Sequence, residues 1–198
     1  MRYLVEWRAA DTLRVVDPTM AEVAAAADTL AAYYNEPYNR GMMAHEAEMT
    51  AAEVVEHFAR LRGEGGRPVL LERDGLLVGD ADLRRIVPPT AEFAIMVGVR
   101  SAQGQGLGLR FAVMAHALAF GPLGLERVYC SIIPANAASR RMFEKLGYLP
   151  DDSPAARAYA DEADDVTLSL AASRFRELHA AALPALHVAP RADVEETR

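Results

Sequence analysis

The fold of this chain is decided by residues 94–120, which read AIMVGVRSAQGQGLGLRFAVMAHALAF. An apolar strand enters the glycine-rich turn QGQGLG at 103–108, and the turn opens directly into an amphipathic helix. The first backbone N–H groups of a helix have no intrahelical partners, and the helix dipole favours negative charge at that end. We therefore predict that this turn binds a phosphate group.

Size and composition limit the class of protein. With 198 residues, of which 52% are hydrophobic, the chain can form one domain with a full core. The formal net charge of −7 argues against broad nucleic-acid binding, which needs a basic face, and favours cationic partners. The single cysteine, Cys130, excludes an internal disulfide and is typical of a reducing cytoplasm. No apolar run approaches the ~18 residues of a membrane span, so we expect a cytoplasmic protein with no membrane partner.

Periodicity and turn signals predict helices on both sides of a central sheet. Thr19 and Glu22 form a capping box at the start of an alanine-rich helix, and Thr50 opens a second helix after a loop. The dipeptide Asp74-Gly75 predicts a tight hairpin. The strand after the glycine-turn helix is expected to lie parallel to the strand before it, because a crossover helix joins them. The predicted strands are 3–7, 13–16, 68–73, 76–85, 92–99, 127–133 and 165–170, and the predicted helices begin at 19 and 50 and also span 105–120, 136–146 and 173–186.

The glycine turn fits neither of two common nucleotide-binding motifs. A Walker loop ends in Gly-Lys-Ser/Thr, and this chain has no such ending. A dinucleotide fingerprint starting at Gly104 needs glycine where the chain has Leu109, and its acidic partner Glu126 precedes its strand instead of ending it. The remaining alternatives are an ordinary strand-to-helix turn and a turn that binds another phosphate ligand.

A second motif lies about thirty residues downstream, where residues 127–148 read RVYCSIIPANAASRRMFEKLGY. Asn136 is a good N-cap, Ser139 lies at the mouth of the first helical turn, and the helix ends in EKLGY. With the spacing Gln-x-x-Gly-x-Gly at 103–108, this arrangement resembles the GNAT superfamily of acyl-CoA N-acyltransferases. The form Asn-x-x-Ser is closest to the subgroup of ribosomal-protein N-terminal acetyltransferases. The resemblance spans about residues 13–170.

The resemblance implies an α/β GNAT fold, a mixed twisted sheet with helices on both faces and a splayed parallel strand pair. It places a GNAT domain at residues 1–170 and leaves 171–198 as a C-terminal helix and tail, an interaction element that could support a homodimer. It implies acetyl-CoA as co-substrate and no metal, and the histidines show no metal-ligand spacing. The implied coenzyme A residues are Met96, Val97, Gly98, Gln103, Gly104, Gln105, Gly106, Leu107, Gly108, Asn136, Ser139 and Phe143.

The chain departs from the family pattern at two positions. Many members carry a tyrosine, which protonates the departing thiolate, where this chain has Phe143, and the resemblance transfers that role to Ser139. Gly98 stands where related strands usually carry a larger aliphatic residue. Around it, N–H groups of residues 96–98 are expected to hold the thioester carbonyl.

A base is needed because an alkylamine with a pKa near ~10.4 is protonated at neutral pH. Asp80 and Asp82 alternate on one face of a strand, and Glu92 begins the next one. We predict that Glu92 is the base and that Asp80 or Asp82 binds the ammonium group. Solvated acids at a sheet edge are the alternative.

The family forms its acceptor pocket from the first two helices and their connection. That region combines tyrosines and glutamates, which suit a cationic amine and suit an ordinary polar loop equally well. We predict acetyl transfer to a primary amine of a small molecule or a protein N-terminus. An acyl-CoA-binding regulatory domain without turnover is the alternative, motivated by Phe143. The candidate pocket residues are Tyr33, Tyr34, Glu36, Tyr38, His45, Glu46 and Glu48.

Overall fold

The computed structural model describes residues 1–43 and 47–191 as an α/β fold. The strands are β1 (Arg2–Arg8), β2 (Thr12–Val16), β3 (Arg67–Arg73), β4 (Leu76–Val87), β5 (Thr90–Val97), β6 (Arg127–Ile132), β7 (Leu149–Pro150), β8 (Val166–Ala171) and β9 (Leu186–Arg191). The helices are α1 (Met20–Asn35), α2 (Pro37–Met42), α3 (Ala51–Gly63), α4 (Leu107–Phe120), α5 (Ala137–Leu146), α6 (Pro154–Arg157) and α7 (Ala172–Leu178). Over these residues the strands form one sheet in the order β7-β8-β6-β5-β4-β3-β2-β1-β9.

Capping boxes fix where α1 and α3 begin. The Thr19 hydroxyl accepts a hydrogen bond from the Glu22 N–H at 3.0 Å, and the Glu22 carboxylate accepts one from the Thr19 N–H at 2.6 Å. Thr50 and Glu53 repeat the arrangement at the start of α3. These bonds satisfy N–H groups that would otherwise lack partners, so both predicted helix starts are confirmed.

Helices cover both faces of the sheet, as the sequence predicts. On one face α4 packs across the sheet with α5 and α7 beside it, and this layer buries Phe93, Phe111 and Phe175. On the other face α1 and α3 pack together and bury Leu30 and Phe58. The sheet is therefore the middle layer of three.

Among the described strands, β5 and β6 form the one parallel pair, and they separate soon after they meet. They pair only from Thr90↔Arg127 to Glu92↔Tyr129, while β5 continues along β4 as far as Val97. The main chain of β5 beyond Glu92 therefore has an open edge on the β6 side. The predicted mixed sheet with a splayed parallel pair is confirmed.

Two segments differ from their predicted structure. The expected loop around Pro37 and Gly41 forms the short helix α2, because Pro37 is preorganised for a first helical turn and the Glu36 side chain caps it. The predicted helix at 173–186 ends at Leu178, and residues 186–191 pair antiparallel with β1 as strand β9. Phe175 of α7 is buried in the chain's own core.

Candidate active site

A cavity of about 750 Å³ opens where β5 and β6 diverge. Its volume is typical of a small-molecule site. It brings together the glycine turn, the start of α5 and the aspartates of β4, which are far apart in the sequence. The predicted site residues on its walls are Tyr34, Tyr38, Asp80, Asp82, Met96, Val97, Gln103, Gly104, Gly106, Gly108, Asn136, Ser139 and Phe143. Seven predicted residues do not line it, namely Tyr33, Glu36, Glu48, Glu92, Gly98, Gln105 and Leu107, and His45 and Glu46 lie outside the described residues.

The glycine turn leaves the N-terminus of α4 without a side-chain cap. Gly106 is the N-cap residue in the left-handed conformation at φ 79°, and no side chain hydrogen-bonds to the first turn. Gly104 also has a positive φ, 75°, which side chains disfavour. The N–H groups of the first helical turn are thus available to an anionic group, as predicted for a phosphate site.

Gln103 and Asn39 hold the turn in place. The Gln103 side-chain amide donates to the Val97 carbonyl at 2.7 Å and to Asn39 Oδ1 at 2.9 Å. Buried Asn39 donates in turn to the carbonyls of Tyr33 and Gly98. Asn39 was not among the predicted residues, because an asparagine in the stretch PYNR carries no sequence signal for a contact with residue 103. Gln105, by contrast, turns away from the cavity and donates to the Ser101 carbonyl at 2.6 Å.

Gly98 has a packing role that explains the departure from the family pattern. A Cβ atom at this position would lie 2.2 Å from Cγ of Tyr33, so the Tyr33 ring requires glycine here. The Gly98 N–H donates to the Val78 carbonyl at 2.8 Å, so it cannot also hold a thioester carbonyl. Hydrogen-bonding groups alternate sides along an antiparallel strand, so Met96 also bonds to β4 and Val97 directs its N–H to the open edge. Of residues 96–98, Val97 alone is left for the predicted oxyanion contact.

The start of α5 contributes a cap, a hydroxyl and an aromatic ring. Asn136 Oδ1 accepts from the Ser139 N–H at 3.0 Å, and its Nδ2 donates to the Met42 carbonyl at 3.2 Å, which ties α5 to α2. Ser139 lies half-exposed on the cavity wall. The buried Phe143 ring meets Phe93 and Tyr148 edge-on, and it has no group that can transfer a proton.

Asp80 and Asp82 lie buried on the same face of β4 and both line the cavity. The Tyr34 hydroxyl donates to Asp80 Oδ2 at 2.7 Å, while Oδ1 of each aspartate has no hydrogen-bond partner in the described chain. Burial raises the pKa of Asp80 to about 7, although the Tyr34 hydrogen bond opposes the shift. Burial also raises the pKa of Asp82 to about 6, against the charge of Arg84. Such carboxylates can change protonation state near neutral pH.

Glu92 occupies a different environment one row below Asp82 on the same sheet face. Arg84 donates to both of its carboxylate oxygens at 2.8 and 3.0 Å, and Arg85 donates to Oε2 at 2.6 Å. Tyr129, its neighbour on β6, is stacked against Tyr159 at 4.7 Å, so the segment around 159 covers this row. The two guanidinium groups therefore occupy the carboxylate that was predicted to accept the substrate proton.

The other predicted acceptor residues divide between the cavity and structural contacts. Tyr38 lines the cavity with Arg100 over its ring at 3.8 Å. Glu36 caps α2 through the Asn39 N–H at 2.9 Å, and exposed Glu48 pairs with Arg40 at 3.3 Å.

Two groups of lining residues were not predicted. A methionine wall contains Met42, Met43 and Met49, and an acidic wall comes from the segment just before β8. The run DEADD at 161–165 was the available sequence signal for the acidic wall, but nothing local shows that it faces β4.

Cys130 and His116 do not line this cavity. Cys130 is buried in β6, and burial raises the pKa of its thiol well above the ordinary value. Buried His116 accepts a hydrogen bond from the Tyr148 hydroxyl at 2.7 Å and is a packing residue. In residues 1–43 and 47–191 no three potential metal ligands converge, and no helix there has the length and apolar character to cross a membrane.

Comparison with known proteins is consistent with this geometry. A family model described as an acetyltransferase (GNAT) domain matches residues 4–149. Among solved structures, Mycobacterium smegmatis RimJ in complex with CoA-disulfide has 18% identity and a TM-score of 0.67, over 91% of this chain and 94% of that chain. Aminoglycoside acetyltransferase AAC(6')-Ib with ribostamycin and coenzyme A has 19% identity and a TM-score of 0.68, over 83% and 94% of the two chains. No protein of curated function matches the chain.

Proposed function

This chain belongs to the GNAT acetyltransferase family, and within it we propose that the protein transfers an acetyl group from acetyl-CoA to a primary amine. The observation that carries the proposal is the placement, in one cavity, of an uncapped helix N-terminus and two buried carboxylates. The first feature suits an anionic acyl carrier, and the second suits a cationic amine.

The residues present fit coenzyme A. The N–H groups at the start of α4 would hold the pyrophosphate, and the open edge of β5 beyond Glu92 offers main-chain groups to the pantetheine arm. One N–H of the Asn136 amide is engaged with Met42, and the second remains for the arm. When bound, acetyl-CoA supplies a thioester whose carbonyl is open to nucleophilic attack.

The aspartates of β4 supply the acid–base chemistry in this proposal. An ammonium group is bound at Asp80 and Asp82. Asp82 takes its proton because its Oδ1 accepts no hydrogen bond within the described residues, with Arg84 Nε 3.8 Å away. The neutral amine then forms the C–N bond, and the C–S bond breaks to release the thiolate. The second proton that leaves the nitrogen replaces the one that is given to the thiolate. Glu92 as base remains a prediction, but the two arginines on its oxygens favour Asp82 in that role.

Ser139 is the proposed proton donor to the departing thiolate. It lines the cavity at the first turn of α5, and Phe143 on the same helix cannot donate a proton. The Val97 N–H is the proposed contact for the oxygen that gains negative charge during attack.

The test measures acceptor-dependent release of free thiol from acetyl-CoA with a panel of amines and peptide N-termini. We expect turnover that rises with pH between about 6 and about 7, as the aspartates lose their protons. Asp82→Asn should lower kcat by about 10²- to 10⁴-fold while the KM for acetyl-CoA stays similar. Asp152→Asn, an exposed acid outside the cavity, is the matched control.

An accessory domain that binds acyl-CoA without turnover is the second candidate function, and Phe143 favours it. Tight binding of acetyl-CoA with no thiol release for any acceptor would support that candidate. Full turnover by Asp82→Asn would instead support acetyl transfer as the function and show that Asp82 is not the base.

A further inference from the structure

The acceptor side of the cavity has two separate acidic positions, and we propose that the acceptor carries a second positive charge that binds at Asp165. This inference rests on the proposed acetyl transfer and specifies its substrate class. The reacting amine would lie at Asp80 and Asp82, and the second cationic group would lie across the sheet at Asp165, beside Asp161 and Glu162.

Asp165 is built into the cavity wall as a buried and half-satisfied carboxylate. It immediately precedes β8, lines the cavity and is 5% exposed. Its Oδ2 accepts from the Ser131 hydroxyl at 2.6 Å and from the Glu162 N–H at 3.2 Å. Its Oδ1 has no hydrogen-bond partner in the described part of the chain. A buried carboxylate oxygen without a donor is costly, and a ligand cation would compensate for it.

The register of the sheet sets the distance between the two positions. Asp82 pairs with Ala94 on β5, and continuing the register of β5 and β6 from Thr90↔Arg127 places Ala94 in line with Ser131. Residues in such a row share one face of the sheet. Two strand spacings separate Asp82 from Ser131 by about 10 Å, and the divergence of β5 and β6 widens this further. One ammonium group cannot bridge such a gap, but the two ends of a linear diamine can.

The charges around the cavity favour a dication over a monocation. The acids on the cavity wall are Asp80, Asp82, Asp161, Glu162 and Asp165, and the fixed cations are Arg84, Arg141 and Lys145. Arg84 is already bonded to Glu92, and Arg84 and Arg85 also pair with Asp161. Arg157 donates to the main-chain carbonyl of Asp165 at 2.6 Å, which leaves the carboxylates of Asp80, Glu162 and Asp165 without an arginine partner among the described residues. Arg141 and Lys145 lie on α5, the helix that carries Asn136 and Ser139 on the proposed coenzyme side. The acceptor side therefore keeps an excess of negative charge.

The test compares linear α,ω-diamines of increasing length with monoamines of the same chain length as acetyl acceptors. We expect a diamine of suitable length to exceed its monoamine in kcat/KM by about tenfold or more, and this preference should weaken as salt is added. Asp165→Asn, which keeps an acceptor oxygen for Ser131, should lower kcat/KM for the diamine about tenfold more than for the monoamine. Asp164→Asn, an exposed acid in the same segment, is the control and should retain the preference.

Two outcomes separate the two proposals. Equal kcat/KM for diamines and monoamines, unaffected by salt, would overturn the dication site while acetyl transfer itself stands. Absence of thiol release with every amine would overturn the proposed function. Calorimetric titration of the diamine into the native protein and Asp165→Asn, each with coenzyme A, then tests the Asp165 site independently, and equal affinities would overturn it. Peptides that carry a lysine after the N-terminal residue distinguish a peptide source of the second charge from a small oligoamine.

Discussion

Three carboxylates on one sheet face illustrate how position changes chemistry at the scale of single residues. Asp80, Asp82 and Glu92 are all buried, yet Glu92 is held by two guanidinium groups and the aspartates face a cavity. The arginine donors occupy both oxygens of Glu92, whereas burial raises the pKa of Asp80 and Asp82 towards neutrality. The three acids therefore suit different tasks.

We predict that Glu92→Gln retains acetyl transfer. The pH at which its activity falls on the acid side of the rate–pH profile should be lower than in the native protein. The Glu92 charge raises the pKa of Asp82, so removing that charge lowers this pKa. The substitution should also cost roughly 2 kcal/mol of stability, because Arg84 and Arg85 lose their buried anionic partner and keep the exposed Asp161. Rate–pH profiles and urea denaturation of both proteins measure these effects. Loss of activity at every pH in a folded variant would restore Glu92 as the base.

Ser139→Ala tests the other proton transfer. We expect kcat to fall by about 10- to 100-fold with little change in the KM for acetyl-CoA, because the hydroxyl acts on the departing thiolate and not in binding. The Asn136 cap should persist, since it bonds to the backbone N–H of residue 139. Steady-state kinetics give the answer, and unaltered kcat would assign thiolate protonation to another group or to water.

At the scale of elements, the start of α4 could be predicted from the sequence, because the geometry of its glycine turn is local. Positive φ angles at Gly104 and Gly106 and the missing side-chain cap are properties of the turn itself. The C-terminal segment shows the opposite case. Residues 186–191 form a strand because β1 offers an open edge, and no local pattern reports that edge.

Gly106→Ala should weaken coenzyme A binding by roughly tenfold, since a Cβ at positive φ costs about 1–2 kcal/mol and displaces the N–H groups of the turn. Isothermal titration of coenzyme A into the variant measures the change. Gly63→Ala, in a position with no neighbour within 4 Å, is the control. An unchanged Kd for Gly106→Ala would argue against the turn as the phosphate site.

At the scale of the whole molecule, a neutral histidine lies at the centre of the main core. His116 of α4 is fully buried against Tyr148, and burial lowers its pKa to about 4. In the unfolded chain a histidine titrates near ~6.5, so between these values the unfolded state binds more protons. The contribution of His116 to stability is therefore lost as the pH falls through this window, while the raised pKa values of Asp80 and Asp82 act in the opposite direction.

Comparison of the native protein with His116→Gln isolates this contribution. The variant should be less stable near neutral pH, and the gap should narrow by roughly 2–3 kcal/mol towards pH 4, because glutamine has no proton to gain. Urea denaturation across that range measures the gap. A gap that stays constant with pH would show that His116 does not control acid stability.

The sequence by itself determined the helix starts at Thr19 and Thr50, the glycine turn that opens α4, the parallel strand pair and the family. Each of these follows from local signals, because capping bonds, left-handed glycines and crossover helices involve residues close together in the chain.

Only the tertiary structure decided what the buried acids do. Glu92 is paired by Arg84 and Arg85, Asp82 faces the cavity, and Asp165 reaches the same cavity from a segment beyond α5. The first contact crosses from β4 to β5, and the cavity brings β4 together with the segment before β8. The charge state of a carboxylate depends on which donors surround it in space.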